Sequence, residues 1–456
     1  MPEAFDRPAI RPQAPPMRVL FLEIDTEKSW AVASLGPAFL AAVIRREGHE
    51  AAMLRVVPDT DLAALRAEVA ARAPDLVGLS LTTRQWLRGR EVAAAIAPLG
   101  IPLIAGGLHP TFAPEAVLAA PGFDAVCLGE GELPFASLVR HLEAGLDIRD
   151  AEIANIWVKG GTRPAMSPPI PEIDSIPFMA RDMLDEHHGV VNVTTQRGCP
   201  FPCTYCAAGM FNRLYKGLGE YGRRRSKENV FAELEAIRAA GQLNYVIFLD
   251  DTFTINHPWV LDFCSDYAER IGVPFTLHAR ADTVPPRLID ALAAAGCRHI
   301  VYGVESGSER FRREIMKRAM SNARIVDTFR RTREAGIIAT ANYMIGLPGE
   351  TREDIEATFE LHARAQPVDF GVFVFYPFPG TQLFEVCRQR GYLPDDWLER
   401  PARHDASILD LPDLTKEEIA ETFARWEAVQ ARDRADRMAE AERLAAAQMA
   451  AARAAC

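Results

Sequence analysis

The chain has 456 residues, 48% of them apolar, and a formal charge of -11, which is enough apolar material for two or three domains. The acidic balance argues against a nucleic acid as the main partner, because binding a phosphate backbone needs a basic surface. No apolar run approaches the length of a membrane span, and the N-terminus is rich in proline and charge rather than resembling a signal segment.

Residues 1–16 read as a flexible tail. From Arg18 short apolar runs alternate with helical stretches, in an order that predicts an α/β domain with a parallel sheet covered on both faces, residues 17–145. The strands are read at Arg18–Ile24, Glu50–Val56, Asp75–Leu81, Pro102–Ala105 and Asp124–Leu128, with helices at 36–47, 60–72, 84–98, 113–119 and 131–144. Five strands make a doubly wound, Rossmann-like sheet whose ligand belongs at the carboxyl ends of the strands. Those ends carry Ser80 and Thr82, then Gly106-Gly107-Leu108-His109-Pro110, then Gly129-Glu130-Gly131-Glu132. Glycines there let backbone approach a flat or phosphate-bearing ligand, although any strand-to-helix turn also favours glycine.

Residues 146–189 are broken by glycine and proline and read as a linker. A second series of strands follows over 190–395, at Val190–Thr195, Tyr245–Leu249, Phe275–Ala279, His299–Val304, Ala339–Ile345 and Phe370–Phe375. Six strand-helix units are too few to close an eight-stranded barrel, so a partial (β/α)6 barrel of TIM type is expected, with its site at the C-terminal rim. Just after the first of these strands stands Gly198-Cys199-Pro200-Phe201-Pro202-Cys203-Thr204-Tyr205-Cys206. Three thiolates on one tight loop can hold three irons of a cubane cluster and leave the fourth without a protein ligand. The alternative is a structural zinc completed by His187 or His188. The other cysteines are scattered singly, so no disulfide framework is expected and the compartment read from them is cytoplasmic. Arg223-Arg224-Arg225 reads as a solvated loop, or else as a contact to substrate.

Residues 396–456 form a C-terminal helical extension, opened by the capping box Thr415-Lys416-Glu417-Glu418. Its first turns are expected to pack on the barrel; a partner-binding helix is the alternative.

The cysteine loop after the first barrel strand resembles that of the radical S-adenosylmethionine superfamily, and residues 190–390 fit its partial barrel. The domain ahead of it resembles the cobalamin-binding domain of one large subgroup. The resemblance implies a 4Fe-4S cluster on Cys199, Cys203 and Cys206, with S-adenosyl-L-methionine chelated by the open iron and cleaved to a 5'-deoxyadenosyl radical. It further implies that Tyr205 meets the adenine and that Gly303, Glu305 and Ser306, ending the fourth strand, contact the methionine or ribose part. By the same resemblance Arg280 meets a carboxylate bidentately, and Gly346, in Met344-Ile345-Gly346-Leu347-Pro348-Gly349-Glu350, forms part of the adenine wall. Asp250 and Asp251 end the second strand at the same rim. In the first domain Ser80, Thr82, Gly106, Gly107, Gly129, Glu130 and Gly131 are the implied cobalamin contacts.

One departure stands out. Where cobalamin proteins that supply an axial ligand carry Asp-x-His-x-x-Gly, this chain has Glu23-Ile24-Asp25-Thr26-Glu27-Lys28. Cobalamin is therefore expected without a protein histidine on cobalt, and His109 is read as a loop residue bonded to nearby backbone. No catalytic residue is singled out. The function implied first is a cobalamin-dependent methyltransferase acting on an unactivated carbon, with cobalamin between the two domains. A non-methylating cyclase or rearranging enzyme, and a cobalamin or iron-sulfur sensor or scaffold, stay open. A methylthiotransferase would need a second cysteine triad, and the N-terminal domain has Cys127 alone. The expected partners are a small molecule of natural-product, tetrapyrrole or lipid-like type and an electron donor such as flavodoxin or ferredoxin, with no nucleic acid and no membrane span.

Overall fold

The computed structural model describes residues 15–26, 35–184 and 186–454, so nearly all of the expected tail lies outside the described residues. The chain divides into two compact units. The first joins Met1–Asp185 with Arg213–Glu220 and Leu398–Ala402; the second joins Glu186–Asn212, Tyr221–Trp397 and Arg403–Cys456.

In the first unit β1 (Arg18–Ile24), β2 (Glu50–Val56), β3 (Leu76–Ser80), β4 (Leu103–Gly106) and β5 (Ala125–Cys127) are parallel, in the order β2-β1-β3-β4-β5. Both faces of β1 are covered, which is why it reads as an unbroken apolar run. Leu20, Leu22 and Ile24 share one core with Val77, Leu79 and Val92, while Val19 and Phe21 share the other with Ala38, Ala41, Ile44 and Phe135. Gly78 in β3 is part of this fit, since a Cβ there would stand 2.9 Å from the Phe21 ring. A sixth strand, β6 (Ile156–Val158), adds antiparallel to β5. It comes from the stretch read as linker, whose Ile170, Ile173 and Ile176 also pack on Val43 and Ala136. The strand order reverses between β1 and β3, and the register Ser80↔Gly106 sets two of the expected site residues side by side at the carboxyl edge.

The second unit starts with β7 (Val190–Val193) and a two-residue antiparallel pair, β8 (Gln196–Arg197) with β9 (Arg223–Arg224). Then come β10 (Tyr245–Phe248), β11 (Phe275–Ala279), β12 (Cys297–Glu305), β13 (Ile338–Ile345) and β14 (Asp369–Val374). Six parallel strands in the order β14-β13-β12-β11-β10-β7 make the expected partial barrel. Its core is aromatic on one flank: Phe231 stacks on Phe263 at 5.1 Å, and Phe248 meets Phe263 edge-on at 5.7 Å. The arginine run is not a solvated loop. Arg225, 7% exposed, pairs with buried Glu233 at 2.6 Å, and Arg224 lies 4.5 Å over Trp259.

The helix Lys416–Ala454 starts on the expected box, with Thr415 N–H donating to Glu418 Oε2 at 2.8 Å. Its Ile419 and Trp426 are buried, and Trp426 stacks on Phe359 at 4.0 Å and on Tyr343 at 5.1 Å.

Candidate functional site

Within the second unit, the C-terminal ends of β10, β11, β12 and β13 and the loop that follows β7 and contains β8 surround a cavity of about 340 Å³. Cys199, Cys203 and Cys206 form one wall. The loop that carries them is held at both ends. At its start the Asp250 carboxylate accepts from Thr195 N at 2.8 Å, Gln196 N at 2.9 Å and the Thr195 hydroxyl at 2.7 Å. Asp250 is therefore occupied with aiming the loop, and it lines the cavity together with its neighbour Asp251. Gly198 turns at φ +78, where a Cβ would stand 2.6 Å from the Tyr221 ring, so this turn needs glycine. Further on, Asn212 donates to Cys199 O at 2.9 Å and the Thr204 hydroxyl to Ile315 O at 2.8 Å.

All three thiols are free. Neither His187 nor His188, one of which the mononuclear zinc reading needs, is among the residues that line this cavity. Thiols spread along one wall suit a cluster in which each takes its own iron. Burial pushes the Cys206 thiol up to about 12 and raises that of Cys199 as well.

Cys203 sits between two guanidinium groups. Arg280 and Arg318 each bring Nη1 within 3.7 Å of its sulfur, and both are buried, at 4% and 6% exposure. Arg280 already has its carboxylate: Asp282 takes Nε at 3.0 Å and Nη2 at 2.8 Å, and the Phe201 ring lies 3.8 Å below. Its free reach is toward the sulfur rather than toward an added bidentate partner. Arg318 was not singled out in the sequence, since it lies in no strand-end motif. It donates to Gly303 O and stands 4.0 Å from Glu305.

The end of β12 is irregular in a way that presents Glu305. The register slips between Gly303 and Glu305, and Glu305 is held at φ +72, a left-handed conformation that costs a non-glycine residue free energy. Gly303 admits this arrangement, because a Cβ there would fall 2.6 Å from Glu305 Oε1 and 2.8 Å from Arg318 Nη2. Burial raises the Glu305 carboxyl, opposed by the Arg318 charge and a hydrogen bond from Tyr205. Tyr205, Gly303, Glu305 and Arg280 thus share one cavity.

Ser306 and Gly346 do not line it. Ser306 is fully buried, with its hydroxyl accepting from Ser308 N at 3.2 Å. Gly346 turns at φ +79 under the C-terminal helix, where a Cβ would stand 3.1 Å from Ile419, and its N–H donates to Glu350. His278 and Asn342 do line the cavity, without having been singled out.

In the first unit Gly107 turns at φ +96, and a Cβ there would lie 2.9 Å from Leu81 O and 3.2 Å from Ser80 Oγ. The close approach of Leu81 and Ser80 therefore requires glycine here. Thr82 is engaged: its N–H and hydroxyl donate to Gln85 Oε1 at 2.8 and 3.0 Å. The turn after β5 is engaged too. Gly129 N donates to Thr111 Oγ1 at 3.1 Å, Glu130 N to the Tyr215 hydroxyl at 2.7 Å, and Glu130 Oε2 accepts from Ile170 N at 3.1 Å. Any Cβ on Gly129 would overlap that hydroxyl, so this glycine serves Tyr215, a residue of the segment Arg213–Glu220. His109 is 1% exposed, stacked 4.8 Å from Trp86, with Nδ1 3.2 Å from the Thr83 hydroxyl rather than on backbone. Burial lowers its pKa to about 4.

Two family profiles match the chain: "Radical SAM superfamily" over residues 193–362 and "B12 binding domain" over residues 31–139. The uncharacterized methyltransferase PH0819 of Pyrococcus horikoshii is 30% identical over 370 residues, covering 77% of this chain and 78% of that protein. Cytidylyl-2-hydroxyethylphosphonate methyltransferase of Streptomyces wedmorensis is 25% identical over 474 residues, covering 86% and 85%. Among solved structures, the radical S-adenosylmethionine methyltransferase TsrM from Kitasatospora setae, with cobalamin and a [4Fe-4S] cluster bound, superposes with a TM-score of 0.69 at 19% identity, covering 90% of this chain and 85% of that one. The thiol-lined barrel rim, the doubly wound sheet ahead of it and these matches together place the chain in the radical SAM superfamily, with a B12-binding domain N-terminal to its barrel.

Proposed function

We propose that the chain is a cobalamin-dependent radical SAM methyltransferase that adds a methyl group to an unactivated carbon of a small molecule. The observation that carries this reading is three free thiols on one cavity wall, in a chain that also bears a B12-binding domain.

Cys199, Cys203 and Cys206 hold the 4Fe-4S cluster, and the donor set fits it: three sulfurs on one cavity wall and two cations beside the middle one. When bound, the cluster supplies the electron that cleaves S-adenosylmethionine, and cobalamin carries the methyl group. Around that chemistry the chain binds and orients. Glu305, aimed inward by its left-handed backbone, accepts from an amine or hydroxyl of the co-substrate, with Tyr205 beside it. Phe201, Leu249, Ala279 and Val301 give the cavity apolar wall that keeps water from reactive species. Ser306 and Gly346 act in structure, one fixing a turn and the other seating the C-terminal helix.

For cobalamin, the assigned contacts are Ser80, Gly106 and Gly107 at the carboxyl edge of β3 and β4, where Gly107 has no room for a side chain. His109 is locked under Trp86 and keeps away from cobalt. A His109→Ala variant is expected to retain the cobalamin spectrum of the wild type; loss of that spectrum would show histidine ligation.

The expected substrate is flat or lipid-like, and a flavodoxin or ferredoxin supplies the electron in the cytoplasm. No helix among the described residues is long and apolar enough to cross a membrane. The test is anaerobic turnover with S-adenosylmethionine labelled on its methyl group. Labelled methylcobalamin and S-adenosylhomocysteine should form together, whereas 5'-deoxyadenosine without S-adenosylhomocysteine would sink the methyltransferase reading.

A further inference from the structure

The three cysteines are not equivalent. Cys199 has neutral donors, the Thr252 hydroxyl at 3.7 Å and the Phe201 backbone, and Cys206 has the Ala208 backbone, while Cys203 has two cationic ones, Arg280 Nη1 and Arg318 Nη1, each at 3.7 Å. Both guanidinium groups are fixed by other bonds. Arg280 is clamped by Asp282 and lies on Phe201, and Arg318 is tied to Gly303 O at the strained end of β12. They converge from separate elements, Arg280 just after β11 and Arg318 in the loop before the helix Asn322–Glu334. Held charges of this kind act on the sulfur without needing to reorganise.

We propose that Arg318, with Arg280, is a positioning residue for electron uptake: through Cys203 it raises the reduction potential of the cluster on this loop. N–H groups directed at a cluster sulfur and positive charge nearby favour the reduced form, because reduction adds one negative charge to the cluster. Burial strengthens the effect by removing the water that would screen it. The assignment rests on the cluster being held by Cys199, Cys203 and Cys206. It gives Arg280 a role distinct from binding a co-substrate carboxylate, since Asp282 already fills its bidentate face.

The experiment is a dithionite titration of the anaerobically reconstituted full chain, followed by electron paramagnetic resonance, with no S-adenosylmethionine present. Arg318→Gln should move the midpoint potential to more negative values. Arg318→Lys, which keeps the charge on a single nitrogen, should move it less. Arg280→Gln should also shift it negatively, and Thr252→Val least of all. Where Arg318→Gln fails to retain iron, Arg280→Gln decides, and a midpoint unchanged from wild type would overturn the proposal. Full cluster retention in Cys203→Ala would instead overturn the ligand assignment beneath it, so the two failures are distinguishable by iron content.

Discussion

Glu350 shows how a single side chain can be read at two levels. It accepts hydrogen bonds from the N–H groups of Gly346 and Leu347, is 1% exposed, and its other oxygen has no partner. Burial lifts its pKa from 4.5 to about 8, with the carboxylate of Asp354 adding to the lift. Asp354 is itself held by Arg310 at 2.9 Å and by Thr351. Between these two pH values the folded chain keeps a proton that the unfolded chain has lost, so stability falls as pH rises from 4.5 to about 8. A Glu350→Gln variant should flatten that part of the melting temperature against pH, while a slope identical to wild type would show that Glu350 ionises normally. At this scale the sequence was most informative where chemistry is local. Three cysteines within one loop are visible as neighbours, but Arg318 reaches Cys203 across 115 residues and no spacing announces it. Asp250 and Asp251 look alike on paper and both line the cavity, yet only the fold shows that Asp250 also aims the loop.

At the scale of elements, apolar alternation located all five parallel strands of the first unit and all six of the barrel. β6 escaped because it lies in a stretch broken by glycine and proline and pairs antiparallel at the sheet edge. Tyr215 escaped for another reason: it follows the cysteine loop in sequence, yet its segment folds as part of the first unit. Tyr215→Phe removes the acceptor of the half-buried Glu130 N–H, at a cost of about 0.5–1.5 kcal/mol, and should loosen the Gly129–Gly131 turn. Equilibrium dialysis should show weaker cobalamin retention with iron content unchanged; equal retention would mean that this turn is not part of the cobalamin site. Gly307 sets a harder limit. A Cβ there would overlap the backbone of Ala357 in the helix Arg352–Ala365, so Gly307→Ala should lower the unfolding free energy by about 1–3 kcal/mol or more. Chemical denaturation measures it, and wild-type stability would mean that the helix can shift at no cost.

Across the whole molecule, the C-terminal helix belongs to the barrel's core rather than to a tail. Trp426 is 1% exposed among Tyr343, Phe359, His362 and Phe370. Trp426→Ala should cost about 3–5 kcal/mol, a loss that thermal unfolding would reveal. Both cofactor classes are legible in one chain because each leaves a local signature, a cysteine loop for one and glycine turns at strand ends for the other. The substrate leaves none. The aromatic rings at the end of the last barrel strand, Phe375 and Tyr376, are 3% and 5% exposed and pack inside the fold. The central claim, that S-adenosylmethionine is cleaved at a cluster on the three-cysteine loop, is tested most directly by quantifying 5'-deoxyadenosine from reduced, reconstituted wild type and Cys203→Ala side by side. Wild type should release it and Cys203→Ala should release none while still binding cobalamin; equal release from both would contradict the claim.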